Sequence, residues 1–221
     1  SDVYKRQIYF NMKDSKMYKD ELESSFNLLK KGEIIAMPTD TFYGLSCDPF
    51  NRKAVKNLFT LKDRDKSKPL PLLISNKNDL LKFGVNFFDF EPILDAFWPG
   101  PLTIVVKTNY DFLEGMVKSD GYVGFRVPKL KFAIDLMNLM KSPLTGTSAN
   151  ISGQPETKDI NVIKDSLNLK IIKKVVNISC GDEKSVSTVI KFSSNKIKLL
   201  RKGPVKIKQI TELLDDRYEY E

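Results

Sequence analysis

An α/β fold built on a mixed sheet is the architecture predicted by this 221-residue chain. Three observations lead there. Segments of helical and of strand periodicity interleave along the whole length. No internal repeat, long linker or low-complexity tract separates them, so one domain is the economical reading. Hydrophobic residues make up 41% of the chain, enough for a sizeable core. The expected division is an N-terminal segment 1–15 (partly non-native in its first ten residues), one domain over 16–216, and a tail 217–221.

The elements follow in order. Tyr18 to Lys31 reads as a helix with Leu22, Phe26 and Leu29 on one stripe, stopped by Gly32. A short buried strand spans 33–37, and the hydroxyl-rich loop Pro38-Thr39-Asp40-Thr41-Phe42-Tyr43-Gly44 follows it. Asn51 is placed to cap a helix reaching Lys62, with Val55, Leu58 and Phe59 inward. Asn76 or Asn78 caps a short helix to Phe83, and residues 84–101 are aromatic and broken. Strands are expected at 102–107 and 122–127, the second carrying Arg126 and stopped by Pro128. Residues 110–120 read as a loop. An amphipathic helix over 129–140 turns Phe132, Leu136, Leu139 and Met140 inward. The remainder alternates: a helix near 159–168, strands near 173–178, 186–192 and 196–201, and a last helix from Lys206.

Composition narrows the chemistry. The absence of histidine excludes an imidazole base, a Ser-His-Asp triad and any His-bearing zinc site. Two cysteines, Cys47 and Cys180, form no disulfide framework and fit a reducing, cytoplasmic setting. No apolar run approaches the ~20 residues of a membrane span, so no membrane role is expected. A net charge of +8 suits anionic partners such as nucleotides or RNA, although a lysine-rich composition alone would produce it.

The most informative stretch is KDRDKSKPLPLLI at 62–74. Read as extended chain, it places Lys62, Arg64, Lys66 and Lys68 on one face and the acids on the other, before Leu70 to Ile74 enter the core. That comb suits a polyphosphate; a solvated charged loop is the plainer alternative. Neither a P-loop nor a Rossmann glycine fingerprint is present, so a nucleotide site must rest on side-chain cations and loop amides. The loop 39–43 is either a turn or a ligand edge at a strand end. Thr147-Ser148-Ala149-Asn150-Ile151-Ser152-Gly153 combines small residues, which admit a ligand to the backbone, with hydroxyl and amide groups. Ser187 and Thr188 place hydroxyls in an apolar strand, where each needs a partner if buried. Arg126 stands on another apolar strand, where its guanidinium pairs a carboxylate, either a ligand's or an internal one. The tract at 98–101 reads as packing and turn.

In this order the motifs resemble the YrdC/Sua5 family of threonylcarbamoyl-AMP synthases: PTDTFYGL at 38–45, K-x-R and KPL within 62–70, WPGPLT at 98–103, FRVP at 125–128, TSANISG at 147–153, ST at 187–188 and R-x-G at 201–203. The resemblance implies a twisted mixed sheet forming a basic concave cavity. It implies that L-threonine, bicarbonate and ATP become threonylcarbamoyl-AMP and pyrophosphate, the first step of tRNA t6A modification. Carried over by motif, Thr41, Arg126, Ser148 and Ser187 are expected around threonine, with Arg126 on its carboxylate. Lys62 and Arg64 are the expected catalytic cations, and Lys62, Arg64, Lys68, Asn150, Lys158 and Arg201 the nucleotide contacts. Lys158 stands where many members carry arginine, and Leu73 where some carry histidine. Mg²⁺ is expected with ATP on few protein ligands, none of which the residues name. The chain ends soon after Arg201, which suggests the short form of the family. Expected partners are the downstream transferase machinery acting on tRNA, with direct contact to tRNA or double-stranded RNA as a further expectation. Two rival functions stand beside this one: an RNA-binding protein using the same cavity, and a carbamoyl-transfer relative.

Overall fold

Strand residues buried on both faces set the layering. A computed structural model describes residues 16–65, 68–113, 116, 120–151, 153–167, 170–214 and 218–221. In β1 (Ile34–Met37), Ile34 and Ala36 face the main core while Ile35 and Met37 face a second cluster, as a period of two requires. β1 pairs antiparallel with β2 (Gly44–Ser46) and parallel with β8 (Ile172–Val175), and β7 (Thr147–Ser148) pairs with β2. This four-stranded sheet has the order β7-β2-β1-β8. A second, seven-stranded sheet runs β11-β10-β9-β4-β5-β3-β6. Its members are β3 (Leu72–Leu73), β4 (Leu102–Lys107), β5 (Tyr122–Arg126), β6 (Leu144–Thr145), β9 (Thr188–Ser193), β10 (Lys196–Arg201) and β11 (Glu219–Tyr220). Both sheets are mixed, since β1·β8, β3·β5 and β4·β9 are parallel and most other pairs antiparallel. The α/β class is as expected; two sheets replace the single one.

The helices cover these sheets where their stripes dictate. α1 (Lys16–Lys30) buries Leu29 and packs with α5 (Lys131–Met140) over Ile35 and Met37. Tyr18 meets Phe132 edge-on at 5.8 Å and donates its hydroxyl to Asp135 at 2.8 Å. In α5 the inward residues are Phe132, Ala133, Leu136, Met137 and Met140. Leu139, expected inward, is exposed because the stripe follows 133, 136, 137 and 140. α2 (Arg52–Lys62) begins as expected, with Asn51 Oδ1 accepting from Ala54 N at 3.0 Å. Of the two candidates before α3 (Asp79–Lys82), Asn76 Oδ1 accepts from Asn78 N at 2.9 Å while the Asn78 side chain makes no cap bond, and Asp79 accepts from Ser75 N and Oγ. A 3₁₀ turn and α4 (Glu91–Phe97) fill the aromatic tract, and Phe90 stacks on Phe192 at 4.5 Å. Asp159 caps α6 (Ile160–Ser166), and Gln209 accepts from Lys206 N at the start of α7 (Ile207–Thr211).

Among the described residues no helix is long and apolar enough to cross a membrane. The segment 1–15, Lys66 and Ser152 fall outside the described residues.

Candidate active site

The loop leaving β1 is held by its own hydroxyls. Pro38 lacks an N–H, and Thr39 Oγ1 donates to Phe42 O at 2.7 Å while accepting from Thr41 N at 3.2 Å. The loop is strapped from outside as well: Gly181 N reaches Thr39 O at 2.9 Å and Glu183 N reaches Asp40 O at 3.2 Å. Only glycine admits this approach, because a Cβ at 181 would lie 2.7 Å from Asp40 Cα. Tyr43 Oη lies within hydrogen-bond reach of Val176 O and Ile178 O, which pins the far end.

Across from this loop stands one face of the seven-stranded sheet. Thr103 and Val105 of β4, with Gly124 and Arg126 of β5, point to that face because each pair is two residues apart. Arg126 is 6% exposed and fully oriented. Its Nε donates to Gly100 O at 3.0 Å, Nη1 to Thr41 Oγ1 at 3.2 Å and Nη2 to Asp40 Oδ1 at 2.6 Å. Its carboxylate partner in this structure is therefore internal. Among the described residues, one N–H on each terminal nitrogen remains for a ligand, and Asp40 Oδ2 is buried without a partner. The turn at 98–101 thus does more than pack, since Gly100 supplies an acceptor that aims Arg126.

Ser187 joins the same wall. Its Oγ lies 2.9 Å from Thr103 Oγ1 and accepts from Arg201 Nη2 at 2.8 Å, while Arg201 Nε reaches Ser187 O. Gly203 lets β10 leave closely under this segment, as a Cβ there would lie 2.4 Å from Thr188 N. Burial lowers the Arg201 pKa from its ordinary value; Glu156 opposes that shift and Arg126 adds to it.

The cationic stretch is where geometry departs most from the sequence reading. Lys62 does not begin an extended comb; it is the last residue of α2, and Asp63 ends the helix in a left-handed conformation with φ 48°. Four-residue spacing from Leu58 puts Lys62 on the buried stripe, where it is 2% exposed. Its ammonium donates to Ser148 O at 2.5 Å, Asn150 O at 2.8 Å and Asn150 Oδ1 at 2.9 Å. Three protons meet three acceptors, so Lys62 holds the 147–150 turn in place. Burial, then the charge of Arg64, push its pKa down to about 8 against the opposing pull of Glu156. Arg64 curls back over its own loop, donating to Lys68 O at 2.8 Å and Pro69 O at 3.1 Å. Lys68 is exposed.

Two adjoining cavities result. One, of about 280 Å³, is lined by Thr41, Arg126, Ser148, Ser187 and Arg201, together with Thr39 and Thr103. The other, of about 410 Å³, is lined by Lys62, Arg64, Lys68 and Asn150. Arg64, Ser148 and Glu156 belong to both. Nine of the ten expected site residues are thereby gathered, with Arg201 on the side expected for threonine. Lys158 stands apart: its ammonium donates to Gly181 O and lies 5.7 Å from the Phe42 ring. Sequence reasoning missed Asp40 as the partner of Arg126, Thr103 as the partner of Ser187, and Glu156. The thiols of Cys47 and Cys180 are pushed up by burial, to about 12 and about 11, so neither is a ready nucleophile.

No group of three or more Cys, Asp or Glu side chains that could cage a metal occurs among the described residues. Glu156 is the carboxylate that lines both cavities, and Asp63 and Asp65 line the second as well. That donor set does not suit a metal held by protein alone, but it does suit Mg²⁺ arriving on a polyphosphate.

Fold and site define a class first: an α/β protein with a divided, arginine-lined cavity beside its sheet, walled by hydroxyls and two looped turns. A sequence model of the Sua5/YciO/YrdC family, described as "Telomere recombination", matches residues 27–203. The chain belongs to that family. A relative from Methanocaldococcus jannaschii is 33% identical over 195 residues, which span 86% of this chain and 91% of that protein. The threonylcarbamoyl-AMP synthase of Mus musculus is 29% identical over 204 residues, 90% of this chain and 72% of that one. The crystal structure of Pyrococcus abyssi Sua5 complexed with L-threonine superposes with a TM-score of 0.82 at 25% identity. It is covered by this chain over 58% of its length, and 90% of this chain takes part.

Proposed function

We propose that this protein is an L-threonylcarbamoyladenylate synthase, a nucleotidyltransferase joining L-threonine, bicarbonate and ATP with release of pyrophosphate. The observation that carries the reading is the adjacency of the two cavities. A pocket of hydroxyls and an oriented arginine shares Arg64, Ser148 and Glu156 with a pocket of cations. A threonine whose carboxylate is held by Arg126 in the first would present the carbamate on its amino nitrogen to phosphates held in the second. The relatives named threonylcarbamoyl-AMP synthase, and the Sua5 structure with L-threonine, support the same assignment.

The chemistry needs no protein nucleophile. The threonine amine and bicarbonate condense to the carbamate with loss of water, and a carbamate carboxylate oxygen then attacks the α-phosphorus in line while the bond to pyrophosphate breaks. The protein's task is to position both partners and neutralise charge building on the phosphates. Arg126 offers its remaining N–H groups to the threonine carboxylate, with Thr41, Ser148 and Ser187 around the side chain. Arg64 and Lys68 face the polyphosphate directly; Lys62 contributes charge and fixes Ser148 and Asn150. Mg²⁺, bound with ATP, supplies further neutralisation of the phosphates. The product goes on to the machinery that transfers threonylcarbamoyl to tRNA.

Amino-acid selectivity tests the pocket. Threonine and serine share a hydroxyl, so one methyl group separates them, worth roughly 10–200-fold in kcat/KM. Alanine and valine offer no hydroxyl to the polar wall formed by Thr41, Ser148 and Ser187, and valine buries a second methyl against it, so both should fall near background. Pyrophosphate release with each amino acid checks this order. Valine matching serine would remove the hydroxyl contacts assigned here.

Lys62 also predicts a pH dependence. Its ammonium satisfies three acceptors, and the neutral amine only two. Because its pKa is lowered to about 8, binding of α,β-methylene-ATP should weaken as pH rises through that value, with a plateau below it. Lys62→Arg should abolish this limb. Affinity independent of pH from about 7 to 9.5 would contradict the ammonium's role.

A further inference from the structure

Glu156 lines both cavities among cations, yet its carboxylate makes no hydrogen bond or ion pair among the described residues. Its position is built. On one side Asn150 Nδ2 donates to Gln154 O; on the other Tyr43 N donates to Thr157 O at 3.2 Å. The turn at 147–150 and the loop after β1 therefore both hold the short segment that carries it. Its charge is felt across the site, raising the pKa values of Lys62 and Arg201 against the burial that lowers them.

Asp63 and Asp65 stand beside the cations of their own loop in the second cavity, whereas Glu156 is the carboxylate that lines both cavities, and a carboxylate where a polyphosphate must lie is an electrostatic contradiction. It repels the very charge that Arg64 and Lys68 attract, unless a cation stands between them. Mg²⁺ is bound by just such means, through one or two carboxylates together with substrate phosphates. We infer that Glu156 is the protein's ligand to the Mg²⁺ carried by the nucleotide, so that this chain takes the metal complex in preference to free ATP. The inference rests on the functional reading above. Simple charge balance for the neighbouring cations is the competing account, and it makes a different prediction about metal.

The experiment measures binding of α,β-methylene-ATP to the full chain by calorimetry, with and without Mg²⁺, for the unaltered protein and for Glu156→Gln and Glu156→Asp. Mn²⁺ affinity for each protein–nucleotide complex is read by electron paramagnetic resonance. For Glu156→Gln the gain in affinity conferred by Mg²⁺ should shrink about 10–100-fold, the scale of one charge-assisted contact, and Mn²⁺ affinity should fall with it. Glu156→Asp retains a carboxylate and should recover part of both. Should Glu156→Gln bind metal-free nucleotide more tightly but keep the full Mg²⁺ gain, the residue balances charge only, and the assignment is overturned. If Glu156→Gln fails to fold, Glu156→Asp decides by the same two readouts: full or heightened metal dependence without any change in Mn²⁺ affinity overturns it. Failure of the unaltered protein to bind the nucleotide under either condition would instead overturn the functional reading itself.

Discussion

Lys62→Ala should lose both activity and stability. Removing the ammonium takes the lysine donor from Asn150 O, and leaves Ser148 O with Asn150 N and Asn150 Oδ1 with Ser148 Oγ, in a site where Lys62 is 2% exposed. Each buried acceptor left unpaired costs about 1–3 kcal/mol. The turn at 147–150 then loses its anchor, and Ser148 and Asn150 leave their places in the two cavities. Turnover should fall about 10²–10³-fold in kcat/KM, the scale for loss of one preorganised electrostatic element. Lys62→Met separates the effects, since it keeps the packing of the stem. Pyrophosphate release and urea unfolding on both variants are the measurements. A stable Lys62→Ala protein with near-normal turnover would reduce the lysine to bystander packing.

The second large effect belongs to the Arg126–Asp40 pair. The two side chains are 8% and 5% exposed and meet at 2.6 Å. Breaking a buried pair from one side costs about 3–5 kcal/mol, a large part of the roughly 5–15 kcal/mol that keeps a domain folded. Asp40→Ala should therefore be severely destabilised. Arg126→Lys is milder and more informative. Lysine can still reach one acceptor, but it cannot serve Gly100 O, Thr41 Oγ1 and Asp40 Oδ1 together while offering a fork to a ligand. The threonine KM should rise about 10–100-fold while the ATP KM changes little. Equal effects on both substrates would make Arg126 a structural arginine alone.

Much of this site was legible in the chain, for identifiable reasons. Helix α2 announced itself through Asn51 and the inward Val55, Leu58 and Phe59, and the cap is where spacing placed it. The same stripe also carried the missed signal. Lys62 lies four residues after Leu58, so helical periodicity buries it, whereas the alternation of K and D beyond it suggested an extended comb. Helical spacing governs up to Lys62 and alternation begins only after Asp63, whose left-handed conformation separates the two. The two-sheet arrangement was not legible, because parallel pairs such as β1·β8 and β4·β9 join segments far apart in sequence. For the same reason Asp40, 86 residues from Arg126, could not be named as its partner. Glu156 carried no pattern at all. It is a single acid in a loop, and only the folding of two other loops around it gives it a place.

Pyrophosphate release, with each component omitted in turn, tests the central claim most directly. With L-threonine, bicarbonate, ATP and Mg²⁺ all present, release should be sustained, and ¹³C from labelled bicarbonate should appear in threonylcarbamoyl adenylate. Omission of any one component should return the signal to background. Release that continues without threonine, or without bicarbonate, would contradict the assignment of these joined cavities to threonylcarbamoyl-AMP formation.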